Sequence, residues 1–324
     1  MGRLLATSGR RLNFAEASLM THVFNPESGA FFDLSSRLKL RFSGSDVFRF
    51  LNGQISNDLR KATATSAIQA SVLNAKGKLN GNVFVSAEAG SFVIDADPEV
   101  RADLPPRMER YIIADDVQIE DLTDEFGLFH ITGNDPPKIS RASRILRADR
   151  FGCQGWDIWA KREEIEQLRQ QLSTVFSFCD DEYAESFRIE QGIPRWGREL
   201  TDQIIPTEAN LEASSIDYGK GCYIGQEVIS RIKMSGQTNK RLAGFVSVNG
   251  APLSPGMRLN SLEGERKEAG WITSATRGPR LGKEIALGYI KRGFEALGSR
   301  FQAHSAEGVV ETDVLVEHVA LPFV

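Results

Sequence analysis

After about Gln237 the chain loses any trace of a helical period, and that loss constrains its fold more than any other feature. Short apolar runs broken by Gly and Pro follow one another: Leu242–Val246, Gly270–Thr273, Ile285–Ile290 and Val309–Val314. Strands this short, with turn residues at this density, predict a small β-barrel. The pattern upstream is different. Phe31–Leu34 and Leu38–Phe42 read as strands, the second alternating cleanly; a helix follows over Val47–Leu51, capped by Ser45 or Asp46 and closed at Asn52–Gly53. Ala67–Leu73, Asn82–Ser86, Ser91–Asp95, Val117–Asp121, Gly127–Thr132 and Trp156–Ala160 read as further strands. Helices are expected over Pro98–Ile113, interrupted at Pro105–Pro106, over Glu163–Phe176 and over Tyr183–Gly192. Strand pairs alternating with helices predict an α+β body of lobes rather than a doubly wound sheet. The expected layout is a leader over 1–29, a two-lobed body over 30–236 and a barrel over 237–324.

A chain of 324 residues is long enough for two or three units with cores of their own. Its hydrophobic share of 41% and charged share of 25% are those of an ordinary globular protein. A net charge of −4 argues against a broad polyanion-binding surface, so direct nucleic-acid binding is not expected. No apolar run approaches the length of a membrane-spanning helix, and no membrane partner is expected. The first residues carry Arg3, Arg10 and Arg11 before the first acidic residue, Glu16, but no secretory core, and Met20 is an alternative start. Cys153, Cys179 and Cys222 are too few and too far apart for a disulfide framework or a closed zinc site. Cys179, after Val175–Phe178, is expected to be a buried, inert thiol. The histidines form no ligand spacing with them, so no metal site is expected. Sparse cysteines suit a reducing compartment, and the cytoplasm is the expected location.

Lys220-Gly221-Cys222-Tyr223-Ile224-Gly225-Gln226-Glu227 is the densest chemical run in the chain. Two glycines and several polar groups make it poor material for a core helix or strand. Lys220, two residues before Cys222, would favour the thiolate, the form that reacts or binds soft metals. A polar turn with a chance cysteine is the plain alternative. The string resembles the signature of the YgfZ family, folate-binding proteins that support iron–sulfur enzymes and are relatives of the glycine-cleavage T-protein. The match continues through Val228–Arg231 and Asn239–Arg241. Phe42–Asp46 through Gln54–Asp58 resembles the opening segment of T-protein relatives, and Gly288–Arg292 resembles their barrel signature. The resemblance implies a two-lobed T-protein-like body around a central folate channel, followed by a C-terminal barrel. It implies tetrahydrofolate or a one-carbon derivative as cofactor. It further implies transient iron–sulfur client or assembly partners, tRNA-modifying enzymes among the clients, and for a eukaryotic source the mitochondrial matrix.

A pterin ring offers an N–H beside an NH2, an edge that a buried carboxylate can grip bidentately. Candidates for that carboxylate are Glu227, Glu190, Asp157 and Asp58; cations for the folate tail are Lys220, Arg188, Arg231, Lys240 and Arg241. Arg188 and Glu190 lie in Phe187–Pro194, a second motif shared with the family, and as helix neighbours two apart they do not pair. A solvated helix end stopped by Gly192 is the alternative there. Asp157 ends Phe151–Asp157, where T-proteins place a folate-contacting segment. Asn57 and Asp58, in the polar loop after the first helix, become channel-lining candidates, although such loops often serve their own backbone. Cys222 and Lys220 form the expected chemical centre, with Tyr223, Gln226 and Glu227 holding the loop or touching the pterin. One departure from aminomethyltransferases stands out. They carry acidic residues shortly after a glycine turn, whereas Lys76–Asn82 contains none, and an amide cannot serve as a base near neutral pH. Aminomethyl transfer is therefore not expected. A T-protein-type one-carbon transferase remains the rival reading, and a folate-binding module without thiol chemistry the third.

Overall fold

The computed structural model describes residues 29–140, 142–262, 267–305 and 313–324. The leader up to residue 28 and the run Val309–Thr312 lie outside the described residues. In chain order the elements begin with β1 (Ala30–Asp33), β2 (Leu38–Ser43), α1 (Val47–Gln54), β3 (Ile68–Leu73), β4 (Leu79–Glu88), β5 (Ser91–Ala96), α2 (Leu104–Glu109) and β6 (Gln118–Asp121). Then come β7 (Phe126–Thr132), β8 (Arg144–Arg147), β9 (Gly155–Lys161), α3 (Ile165–Ser173), β10 (Ser177–Cys179), α4 (Asp181–Glu190), α5 (Glu212–Ser215) and α6 (Gln226–Ser235). The last part is β11 (Lys240–Ser247), β12 (Arg258–Ser261), β13 (Glu268–Arg277), β14 (Glu284–Lys291), β15 (Arg300–His304) and β16 (Val314–Val319).

These strands form two sheets and a closed barrel. One sheet runs β3-β4-β5-β2-β6, the other β10-β1-β7-β9-β8, and the barrel closes as β11-β14-β13-β12-β15-β16. Alternation in β2 sends Leu38, Leu40 and Phe42 into one core with Val72, Val85 and Ile94, covered by Phe50 and Leu51 of α1 and by Leu104 and Met108 of α2. The opposite face carries Lys39 and Asp95, cross-strand partners in β2 and β5. The second sheet buries Phe129, Ile131, Ile158 and Ala160 against Leu168 and Leu172 of α3. A third core joins body to barrel through Leu79, Ile189, Tyr223, Ile229, Leu242 and Tyr289.

Two local expectations are corrected. Pro98–Ile113 is not one helix but a 3-10 turn at Pro98–Val100 followed by the short α2. Pro105 and Pro106 fall in the first turn of α2, where no backbone N–H is required. The first helix does not stop at Asn52–Gly53 but runs to Gln54, with Ile55 extended beyond it. A left-handed glycine is not needed there, because a distant segment meets the helix end. Among the described residues no helix is long and apolar enough to cross a membrane.

Candidate functional site

That distant segment is the Lys220–Glu227 run. Lys220 is buried, and its ammonium donates to the carbonyls of Asn52 (2.6 Å), Ile55 (2.6 Å) and Asn57 (3.0 Å). Burial lowers its pKa to about 8, against the pull of Asp58 and Asp217. The Ile224 N–H donates to Gly53 O (3.2 Å), and Tyr223 packs into the body–barrel core with the Lys220 ammonium 5.1 Å from its ring centroid. Gly225 precedes α6 at φ 84°; a Cβ there would stand 2.7 Å from Asn74 O, so the close approach to the β3–β4 turn requires glycine. The Gln226 side chain accepts from the Tyr223 N–H (3.3 Å) and ties the loop to the helix it starts. Asn57 donates to Gln69 O (2.8 Å) and Ser214 O (3.2 Å). Asp58 is held down at about 2 by hydrogen bonds from Arg60. Lys220, Asn57, Asp58, Tyr223 and Gln226 thus meet around the end of α1. Cys222 is exposed above them, as are Glu227 and Arg231 on the first turns of α6.

The other residues singled out from the sequence lie elsewhere. Asp157 is fully buried between the two sheets, bonded to Arg150 (Nε 2.8 Å, NH2 2.6 Å) and to His130 Nδ1 (2.9 Å). Burial alone would raise this carboxyl, but Arg150 and His130 hold it down at about 2. Arg150 also grips Asp95 (2.9 and 2.7 Å), and Arg37 donates to the Asp95 Oδ1 that Arg150 shares, so the network ties β5 to β9. Burial lowers His130, which is neutral near pH 7. Arg188 donates to Glu185, Glu199 (2.8 Å) and Ser274 (2.6 Å), pinning α4 to β13. Glu190, also fully buried, accepts from the Arg280 Nε (2.9 Å) and from the N–H groups of Arg280 and Leu281. Lys240 lies 3.6 Å from Glu208, and Arg241 donates to Asn210 (2.8 Å). Each buried carboxylate proposed for a pterin edge therefore already carries an arginine: Arg60 on Asp58, Arg150 on Asp157 and Arg280 on Glu190.

Several functional-looking residues were not visible in the sequence reading. Glu199 is buried and accepts from Arg188, Thr273 (2.7 Å), Ser274 (2.6 Å) and the Arg195 N–H (3.1 Å), making it the hub between α4 and the barrel. Arg150 and Arg280 gave no sequence signal, because each finds its partners only when separate elements meet. Asn82, in the stretch that lacks a carboxylate, accepts from Gln69 (3.1 Å), so that position holds an amide pair. A cavity of about 610 Å³ opens beside the second sheet, lined among others by Cys153, Gln154, Phe176, Phe187, Gln191 and Arg280. Its size suits a mid-sized organic ligand. Burial raises the thiols of Cys153 and, to about 12, of Cys179, which leaves Cys222 as the exposed cysteine among the described residues. No group of three or more His, Cys, Asp or Glu able to hold a metal ion occurs among the described residues.

The chain's similarities to known proteins follow this architecture. The family profile for the glycine cleavage T-protein C-terminal barrel domain matches residues 240–324. An aminomethyltransferase of Staphylococcus epidermidis is 23% identical over 314 residues, covering 88% of this chain and 85% of that protein. A Dictyostelium discoideum protein named iron-sulfur cluster assembly factor IBA57 homolog, mitochondrial, is 24% identical over 64% of this chain and 60% of its own length. The crystal structure of glycine cleavage system aminomethyltransferase T from Bartonella henselae superposes with a TM-score of 0.79 at 17% identity, covering 91% of this chain and 86% of that one. The fold is that of a T-protein: an α+β body with a closed six-stranded C-terminal barrel.

Proposed function

We propose that this chain, which has the fold and the relatives of the T-protein superfamily, is a folate-binding accessory protein of the YgfZ type for iron–sulfur cluster assembly or repair. The observation that carries the reading is the presentation of Cys222. An exposed thiol stands between two anchors, Lys220 and Tyr223, on a loop whose other side chains are used to hold it in place. Rigid display of a single soft donor suits transient contact with iron or with a partner's thiol or disulfide. One thiolate cannot keep a cluster, so the remaining ligands would come from the partner or a small thiol, and the cluster is cargo. The similarity to a relative named as an iron–sulfur cluster assembly factor supports this reading. Its clients would include iron–sulfur enzymes that modify tRNA, and free thiols suit a reducing compartment such as the cytoplasm.

Folate would occupy the cavity beside the second sheet. Phe176 offers apolar surface for the ring, Gln154 and Gln191 offer amides for its edge, and Arg280 offers a guanidinium for the acidic tail. Bound tetrahydrofolate would supply a carrier for one-carbon units. The chain's own contribution is to bind and orient that carrier, with Glu190 fixing the Arg280 side chain through its Nε.

The second reading, a one-carbon transferase, is favoured by relatives named aminomethyltransferase that align with most of the chain. Against it stands the Asn82–Gln69 amide pair where a carboxylate would be required as a base. The experiment that separates them is complementation of cells lacking the gene with wild type or Cys222→Ser, reading both iron–sulfur enzyme activity and glycine cleavage. Rescue of iron–sulfur enzymes by wild type and not by Cys222→Ser supports the accessory role. A deletion that spares those enzymes but abolishes glycine cleavage replaces it with the transferase.

A further inference from the structure

The C-terminus of a helix leaves carbonyls without intrahelical partners, and these are usually met by a chain that folds back through a left-handed residue. At the end of α1 the chain instead continues extended, with Ile55 at φ −113° and ψ 153°. Ile55 N–H takes Leu51 O, Ile224 N–H takes Gly53 O, and the Lys220 ammonium takes Asn52 O together with Ile55 O and Asn57 O further on. An ammonium has three N–H groups, and here three carbonyls use all of them. The positive charge also lies at the negative end of the helix, where a cation is stabilised. None of its donors remains for a thiolate at Cys222.

The loop itself is sparsely held. A Cβ on Gly221 would meet nothing within 4 Å, and Cys222 beside it is exposed. Downstream, Tyr223 and Ile224 are anchored by packing and by the Gly53 carbonyl. Upstream, the Asp217 N–H takes Ser56 O (3.0 Å), and Lys220 then makes the three bonds that hold the loop to the end of α1. We propose that Lys220 is a positioning residue: by closing the end of α1 it fixes the loop that presents Cys222. The geometry stands on its own; the purpose of the display rests on the function proposed above.

The test uses the full-length protein in a Cys153→Ala, Cys179→Ala background with a nitroxide label on Cys222. With Lys220 present the label spectrum is dominated by an immobilised component; in Lys220→Met it becomes mobile at temperatures well below unfolding. Loss of the three bonds also speeds hydrogen exchange at the Ile224 amide by about tenfold or more. Should Lys220→Met not fold, Lys220→Gln, which keeps a shorter donor, is measured in its place. An unchanged spectrum and exchange rate would overturn the proposal. Neither readout depends on iron–sulfur enzymes, so failure here is distinct from failure of the proposed function.

Discussion

Replacing Arg150 by Met tests what holds the two lobes together. Arg150 makes four hydrogen bonds of 2.6–2.9 Å, two to Asp157 and two to Asp95, and all three side chains are nearly inaccessible to solvent. Methionine keeps much of the aliphatic stem but loses the guanidinium that lies over the Phe84 ring (4.2 Å from its carbon to the ring centroid), a contact worth about 1–2 kcal/mol. The major part is electrostatic: Asp95 keeps Arg37, but Asp157 keeps only His130, which is neutral. Breaking a buried ion pair by removing one partner costs about 3–5 kcal/mol. Against a total stability of about 5–15 kcal/mol, that is enough to move a urea midpoint far to the left.

The pH dependence carries a sign that no packing defect reproduces. In the wild type, burial lowers His130 below its ordinary value, so on acidification the unfolded chain takes up a proton before the native one does. Wild-type stability therefore falls as the pH drops through about 6.5. Asp157, depressed to about 2, keeps its contribution throughout that range and loses it progressively as the pH falls from about 4 to about 2. In Arg150→Met a proton on His130 becomes the one charge available to neutralise Asp157. The folded-state affinity for that proton then exceeds the unfolded one, and the variant gains stability over the same interval. Urea unfolding at pH 8 and pH 6 should show the gap between the two proteins narrowing. A gap below about 1 kcal/mol, the worth of a surface pair, or one constant between those pH values would refute the account.

Three further outcomes are expected. Gly225→Ala places a Cβ 2.7 Å from Asn74 O at a φ of 84° and should cost about 1–3 kcal/mol, read as a lower thermal midpoint. Glu199→Gln converts the hub between α4 and the barrel into a neutral amide facing Arg188, and chemical denaturation should register a loss of about 1–3 kcal/mol, because charge-assisted bonds at the hub are weakened while Arg188 keeps Glu185. Cys222→Ser, at an exposed position, should change stability by less than about 0.5 kcal/mol while abolishing support of iron–sulfur enzymes; a large stability loss would mean the thiol is structural.

The barrel was legible because its central strands are apolar. β11, β13 and β14 contain the runs Leu242–Val246, Gly270–Thr273 and Ile285–Ile290. β12 and β15 carry little signal: Arg258–Ser261 buries only Leu259 and Arg300–His304 only Phe301 and Ala303, among polar residues and over too few positions to show a period. β10 is a strand of three residues, defined only by its parallel pairing with β1. The same limit applies to the site. Local composition singled out Asp157 and Glu190 as carboxylates in the right kind of segment, but their partners are matters of tertiary contact. Arg280 is brought to Glu190 by a barrel hairpin far along the chain, and Asp95 is brought to Arg150 by the facing of two sheets. Asp58 differs because its arginine is two residues away, within reach of a local reading.

That difference bears on how a T-protein-like body could serve thiol chemistry. The polar residues named from the sequence divide into those that hold the architecture and those left to act. Asp157, Glu190 and Arg188 sit at the seams between lobe and lobe or body and barrel, each satisfied by a partner of opposite charge. Lys220, Asn57 and Gln226 hold the signature loop against α1 and α6. Once those are subtracted, the signature retains Cys222 and Glu227 at the surface, backed by a lysine that closes a helix. A motif of this density thus devotes most of its residues to placing one sulfur. The chemistry open to it is that of an exposed thiol on a fixed support, acting on whatever partner can approach the end of α1.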